Sequence, residues 1–189
     1  MNTIENIENI IIINKSKFIT NLFYVENIND VNKYLDVIKN RYRDATHNCY
    51  AYIINNEKRF SDDNEPNGTA GKPILDVLEK NNLNYVLCII TRYFGGIKLG
   101  ASNLLRAYSN SVSTAISKTK ILKIIDGYNI KISFKYKDEK YINSVLEDCY
   151  IINKEYNEFI LYEVNVDKEK LDKLNNYEIE VIKRIIIKK

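Results

Sequence analysis

The residues best suited to chemistry fall into two short stretches. The first is "TRYFGGIKLG", residues 91–100, which gathers Arg92, Lys98, the adjacent aromatics Tyr93 and Phe94, and three of the chain's six glycines. It follows the apolar run Val86–Ile90 and precedes a stretch of helical periodicity, so it reads as a strand-to-helix turn. Gly95 and Gly96 let the backbone adopt unusual φ and come close to another group. A helix beginning near Gly100 to Ser102 offers free N–H groups and the positive end of its dipole, which suits an anion. Arg92, Lys98 and Arg106 flank that start, and Tyr93 and Phe94 among these cations suit stacking on bases. The plainer alternative is packing, with half-buried aromatics and glycines that only permit close approach. The spacing is not G-x-G-x-x-G, so no dinucleotide site is read here.

The second stretch is "SDDNEPNGTAGKP", residues 61–73. A phosphate-binding P-loop would need Gly at Pro66 and Ser or Thr at Pro73, and a calcium loop fails at Pro66 as well. Asp62, Asp63 and Glu65 form an acidic cluster able to hold a hard cation, although a solvated loop is its commoner use. The only histidine, His47, lies two residues before Cys49 in "DATHNCY". On a strand the two share a face about 7 Å apart. A Cys–His nucleophile pair is one reading; a buried thiol beside a structural histidine is the other. Zinc needs more nitrogen and sulfur ligands than this neighbourhood supplies. His47, Asp62, Asp63, Glu65, Thr69, Lys72 and Arg92 make a polar set more varied than RNA binding requires. If they converge in one concave pocket, an enzyme acting on a small phosphorylated substrate is favoured; if the cations spread over an open face, binding is. No residue is assigned a catalytic or metal-binding role, and no cofactor is expected.

The elements that must position these residues can be read from periodicity. Residues 8–13 and 16–25 read as strands joined by a turn at Asn14-Lys15, followed by a helix that Asp30 can cap. Residues 49–55 and 85–93, apolar on both faces, read as buried strands. "EKRF" reads as a hairpin partner of the first, and Pro73 suits the first turn of a short helix ending near Lys80. Leu104, Leu105, Tyr108, Val112 and Ile116 line one face of a helix over 101–118. Beyond Lys120 the order becomes strand 121–136 with Gly127 as a bulge, helix 138–149, strands 150–156 and 158–166, helix 167–175 and strand 178–187. That βαββαβ order predicts a ferredoxin-like unit. The expected class is therefore α+β with two domains, 1–121 and 122–189.

Composition sets wider bounds. Apolar residues make up 45% and charged residues 28% of 189, ordinary for a globular chain. The net charge of +3 is too small to imply nucleic-acid binding by itself. Residues 1–123 carry 16 Lys/Arg against 12 Asp/Glu, while residues 124–189 carry 12 against 13, so the first part is the better polyanion surface. Three widely separated cysteines, outside any CxxC pair, suggest reduced thiols and a cytoplasmic location. No stretch is long enough to span a bilayer, so no membrane partner is expected.

"DATHNCYAY", "FSDDNEPNGTAGKPIL" and "TRYFGGIKLGASNLLRAYS" together resemble the YigZ/IMPACT family. The glycine-rich segment is highly specific to it, and "KSKFI" and the C-terminal order also fit. Family members usually carry two further glycines where this chain has Ser102-Asn103. The resemblance implies a first domain like a small-subunit ribosomal protein and domain four of elongation factor G, and a second like that factor's domain five. It also implies a role in translation, because the eukaryotic members regulate initiation by competing for the activator of a kinase of an initiation factor. The expected partners are RNA, the ribosome or a translation-regulatory protein, and the oligomeric state is left open.

Overall fold

A computed structural model describes all residues, Met1–Lys189. It is a mixed α+β structure that separates into two compact units, Met1–Lys123 and Ile124–Lys189.

The first unit runs β1 (Asn2–Ile4), β2 (Ile7–Ile13), β3 (Ser16–Tyr24), α1 (Ile28–Arg41), β4 (His47–Ile54), β5 (Glu57–Ser61), α2 (Gly71–Lys80), β6 (Val86–Tyr93) and α3 (Ala101–Lys118). β7 (Ile121–Phe134) starts here, pairing Ile121–Lys123 with β1. The main sheet is antiparallel in the order β2-β3-β6-β4-β5. β2 and β3 meet in a two-residue turn with positive φ at both Asn14 and Lys15, the backbone twist that tight hairpins favour.

Both faces of this sheet are covered, which explains why β4 and β6 read as continuous apolar runs. Phe18, Leu22, Cys49, Ala51, Cys88 and Ile90 face α2 and α3, where Ile74, Leu78, Leu104, Tyr108 and Val112 meet them. Tyr52, Leu87 and Ile89 face the opposite way, toward Val31 and Ile38 of α1. Asp30 does not cap α1 as expected. Asn27 is the N-cap and accepts from the Asp30 N–H, while the Asp30 carboxylate accepts from the Glu26 N–H. This reciprocal pairing starts the helix earlier than the apolar spacing alone suggests.

The second unit comprises the rest of β7, α4 (Glu139–Val145), β8 (Tyr150–Tyr156), β9 (Ile160–Asp167), α5 (Lys168–Lys173) and β10 (Glu178–Lys188), with a 3-10 turn at Tyr136–Asp138. β7 lies between β10 and β9, with β8 outside β9, all antiparallel. Ile130, Ile132, Tyr162, Val164 and Ile142 build its core. Gly127 is not a bulge: it pairs regularly with Asp167 and Ile185. A Cβ there would overlap the Ile187 side chain, which would have to shift, and would lie 3.0 Å from the Val166 carbonyl oxygen, so the glycine eases packing between β7, β9 and β10. The irregularities fall instead between Val181 and Lys183 and between Ile151 and Asn153.

Candidate functional site: a pocket over a buried ion pair

Arg92 is the one charged residue in the otherwise buried strand β6, and it is only 5% exposed. A guanidinium in that position needs a carboxylate partner, because an unpaired buried charge costs several kcal/mol. Glu65, also buried, supplies it: Arg92 Nη1 donates to Glu65 Oε1 at 2.6 Å. The same oxygen accepts from the Tyr108 hydroxyl of α3 at 2.8 Å. The Arg92 guanidinium also lies over the rings of Phe18 and Phe94, at 5.5 and 5.8 Å from their centroids. Its Nε is buried without a hydrogen-bond partner.

The 61–73 loop exists to deliver Glu65. The Asp62 carboxylate accepts from the backbone N–H groups of Gly68, Ala70 and Gly71 at 2.9, 3.0 and 2.7 Å, folding the loop around itself. The Asp63 carboxylate accepts from the Asn48 N–H at 2.6 Å and ties the loop to β4. Thr69 turns inward, its hydroxyl donating to the Pro66 carbonyl at 2.6 Å. Asp62, Asp63 and Thr69 thus spend their polar atoms on the loop, and no group of acidic, histidine or cysteine side chains is arranged to hold a metal.

His47 completes the floor. Its Nδ1 lies 2.8 Å from the Asp63 carbonyl oxygen, which places the proton on that nitrogen. Nε2 then faces Glu65 Oε2 at 3.7 Å. Cys49 does not join His47 as a nucleophile. The thiol is buried among the loop and Tyr108, 3.0 Å from the Asp62 carbonyl and 3.3 Å from the Tyr108 hydroxyl, with one proton to serve either acceptor. Burial pushes it up to about 12, and the negative charge of Glu65 adds to the effect, so thiolate is scarce at neutral pH. Burial raises Cys88 as well.

Above the floor sits a pocket of about 480 Å³, within the range of small-molecule sites, lined by His47, Glu65, Arg92, Phe94, Lys98 and the start of α3 among others. Gly100 is the N-cap of α3, with φ 76°, and no side chain caps the helix. The first-turn N–H groups therefore stay available at the pocket wall. Phe94 and Lys98 are exposed.

The structure thus brings together His47, Glu65, Arg92 and Lys98, and leaves other expected residues apart. Lys72 is on the exposed side of α2, paired with Asp76 at 2.6 Å. Arg106 is exposed on α3 and does not line the pocket. Tyr93 donates its hydroxyl to Asp44 at 2.8 Å. Gly95 is needed for packing, since a Cβ there would collide with the Lys15 carbonyl, whereas Gly96 has open space around it and a φ of 83°. Sequence reasoning missed the roles of Tyr108, which donates to Glu65, and of Phe18, whose ring lies under the Arg92 guanidinium. The available signal was Arg92 itself, a lone charge in a strand with no polar face.

Comparison with known proteins bears on this arrangement. The Impact N-terminal domain family model matches residues 14–116, the span that carries every residue of the floor. The chain belongs to the IMPACT family. It is 37% identical over 172 residues to the IMPACT family member YvyE of Bacillus subtilis, covering 80% of this chain and 79% of that one. It is 30% identical over 166 residues to the IMPACT family member YigZ of Escherichia coli, covering 84% and 81%. Among solved structures it is similar to a hypothetical protein at 26% identity, with a TM-score of 0.67 over 96% of this chain and 97% of that chain. The fold is therefore similar along nearly the whole length of a solved chain.

Proposed function

We propose that this IMPACT family member is a cytoplasmic regulator associated with translation, and that its first unit binds RNA, on or off the ribosome, by seating a phosphate in the pocket at the start of α3. The observation that carries the reading is the meeting of an uncapped helix N-terminus with Lys98 and the buried, incompletely satisfied Arg92 in one recess. A helix N-terminus carries roughly half a positive charge, and Lys98 is a cation free to pair with an incoming anion. Family membership supports the translational role, since the eukaryotic members act at initiation. The βαββαβ order and antiparallel sheet of the second unit support a ferredoxin-like domain, and family membership supports reading the first unit as ribosomal-protein-like.

Arg92 is the wrong residue to remove in a test, because its loss strands Glu65 in the core. Lys98→Ala is the informative variant. Each phosphate contact contributes about 0.7 to 0.9 to the salt slope of binding, so the slope for a single-stranded RNA oligomer should fall by about one unit and affinity should drop. Unchanged affinity and slope, with the fold intact, overturns the assignment.

One observation favours an enzyme instead: His47 Nε2 and Glu65 Oε2 stand 3.7 Å apart in the same pocket, two groups each able to take a proton from a substrate. Turnover of phosphorylated small molecules that is lost in His47→Asn, while RNA affinity persists, would select that reading.

A further inference from the structure

We propose that the ligand seated in this pocket is one nucleotide unit bearing a 5′-phosphate, either a free nucleoside monophosphate or the phosphorylated end of an RNA, rather than an internal phosphodiester. The proposal rests on the anion-site reading above and names the ligand class.

The lining divides by chemistry. Lys98 and the first turn of α3 are positive and suit the phosphate. Arg92 also lines the pocket, 95% buried, with Nη1 on Glu65 and Nη2 3.4 Å from the Ser16 hydroxyl, so it adds positive charge beneath the phosphate position. Glu65 and His47 have the opposite character. Oε1 of Glu65 is engaged by Arg92 and Tyr108, but Oε2 meets only His47 Nε2, at a distance too long for a hydrogen bond. That oxygen can accept only from a donor. A ligand that is anionic throughout would meet a carboxylate here; one that combines an anion with hydroxyl groups, as a ribose phosphate does, satisfies both sides.

Phe94 then separates a nucleotide from a sugar phosphate. Its ring lines the pocket, is 46% exposed, and has the Arg92 guanidinium 5.8 Å from its centroid. An exposed aromatic beside a phosphate site is a stacking platform for a base. A terminal phosphate suits the positive wall better than an internal one, because it carries about −1.5 to −2 charge at neutral pH where a diester carries one.

Titration calorimetry of the full chain with 5′-AMP, ribose 5-phosphate, adenosine and inorganic phosphate tests this. Stacking is sequence-tolerant and substantial, so 5′-AMP should bind at least about tenfold tighter than ribose 5-phosphate or phosphate. Phe94→Ala should remove most of that preference and Phe94→Tyr should restore it. The 2′,3′-dideoxy form of AMP should bind more weakly than AMP, reporting the Glu65 and His47 contact without altering the protein. RNA hexamers with 5′-phosphate and 5′-hydroxyl ends distinguish the source: about tenfold preference for the phosphorylated hexamer assigns an RNA end, and binding of AMP with no such preference assigns the free nucleotide. Equal affinity for AMP, ribose 5-phosphate and phosphate overturns the nucleotide while leaving the anion site. No binding of any small phosphate, with RNA affinity still sensitive to Lys98→Ala, sinks this inference alone. Insensitivity of RNA binding to Lys98→Ala removes the reading beneath it.

Discussion

Removing the Glu65 carboxylate, by Glu65→Ala, should be among the most damaging single changes to the first unit. The pair it forms with Arg92 is buried on both sides, with side chains 3% and 6% exposed, and spans 2.6 Å. Deleting one member of such a pair leaves an uncompensated charge and costs about 3–5 kcal/mol. The Tyr108 hydroxyl loses its acceptor as well, at about 1–3 kcal/mol, although the two costs share one carboxylate and will not simply add. Against a domain stability of about 5–15 kcal/mol, the first unit is left near its unfolding threshold. The compensated double variant Glu65→Leu/Arg92→Met should recover most of the loss, because an apolar pair of similar volume replaces two desolvated charges. Amide hydrogen exchange resolved to β6 and α3 measures the effect within this unit, whether or not the two units unfold together. A Glu65→Ala loss below about 1 kcal/mol, the worth of an exposed ion pair, refutes the buried-pair argument. So does a double variant no more stable than the single one.

Two further outcomes follow from local geometry. Asp167 is the N-cap of α5, and hydrogen bonds from Lys189 and from the Lys170 N–H hold its carboxyl below the usual aspartate range. Its contribution is therefore complete above an ordinary aspartate pKa of about 3.9 and is lost as pH falls through the lower folded value; Asp167→Asn should flatten that acid limb in hydrogen exchange of the second unit, and an unaltered limb contradicts it. Of the three thiols, Cys149 should be alkylated first in the native protein, because it is partly exposed while Cys49 and Cys88 are buried; labelling at Cys49 as fast as at Cys149 contradicts the burial.

Much of the element order was legible because the relevant physics is local. The helix over 101–118 is visible in Leu104, Tyr108, Val112 and Ile116 and is found at Ala101–Lys118. β4 and β6 show as double-sided apolar runs because helices cover both faces of the sheet they share. Gly127 was misread for a non-local reason: what a Cβ there would overlap is Ile187, sixty residues away in sequence. β1 was missed because three residues are too few for any periodicity, and its partners lie in β7.

The site was legible only in part, for the same reason. Composition and spacing marked His47 as the only histidine and Glu65, Arg92 and Lys98 as charged residues near glycines, yet could not tell which faced one another. Three of the loop residues proved to organise backbone, and the reason is geometric: a loop of nine residues, 62–70, between β5 and α2 has many N–H groups to satisfy, and Asp62 accepts from two of them and from the first N–H of α2. Of the acidic residues only Glu65 is buried, and it meets the one cation of β6. That pairing has a consequence for recognition. With Arg92 neutralised by Glu65, the net positive character of the recess comes from Lys98 and the start of α3, on its wall, while its floor keeps one carboxylate oxygen free to accept. A ligand drawn by charge alone would be repelled at the floor, and one drawn by hydroxyl groups alone would gain nothing at the wall. Selection for both features in one molecule is what a buried ion pair beneath a helix terminus can provide, and a surface patch of lysines cannot.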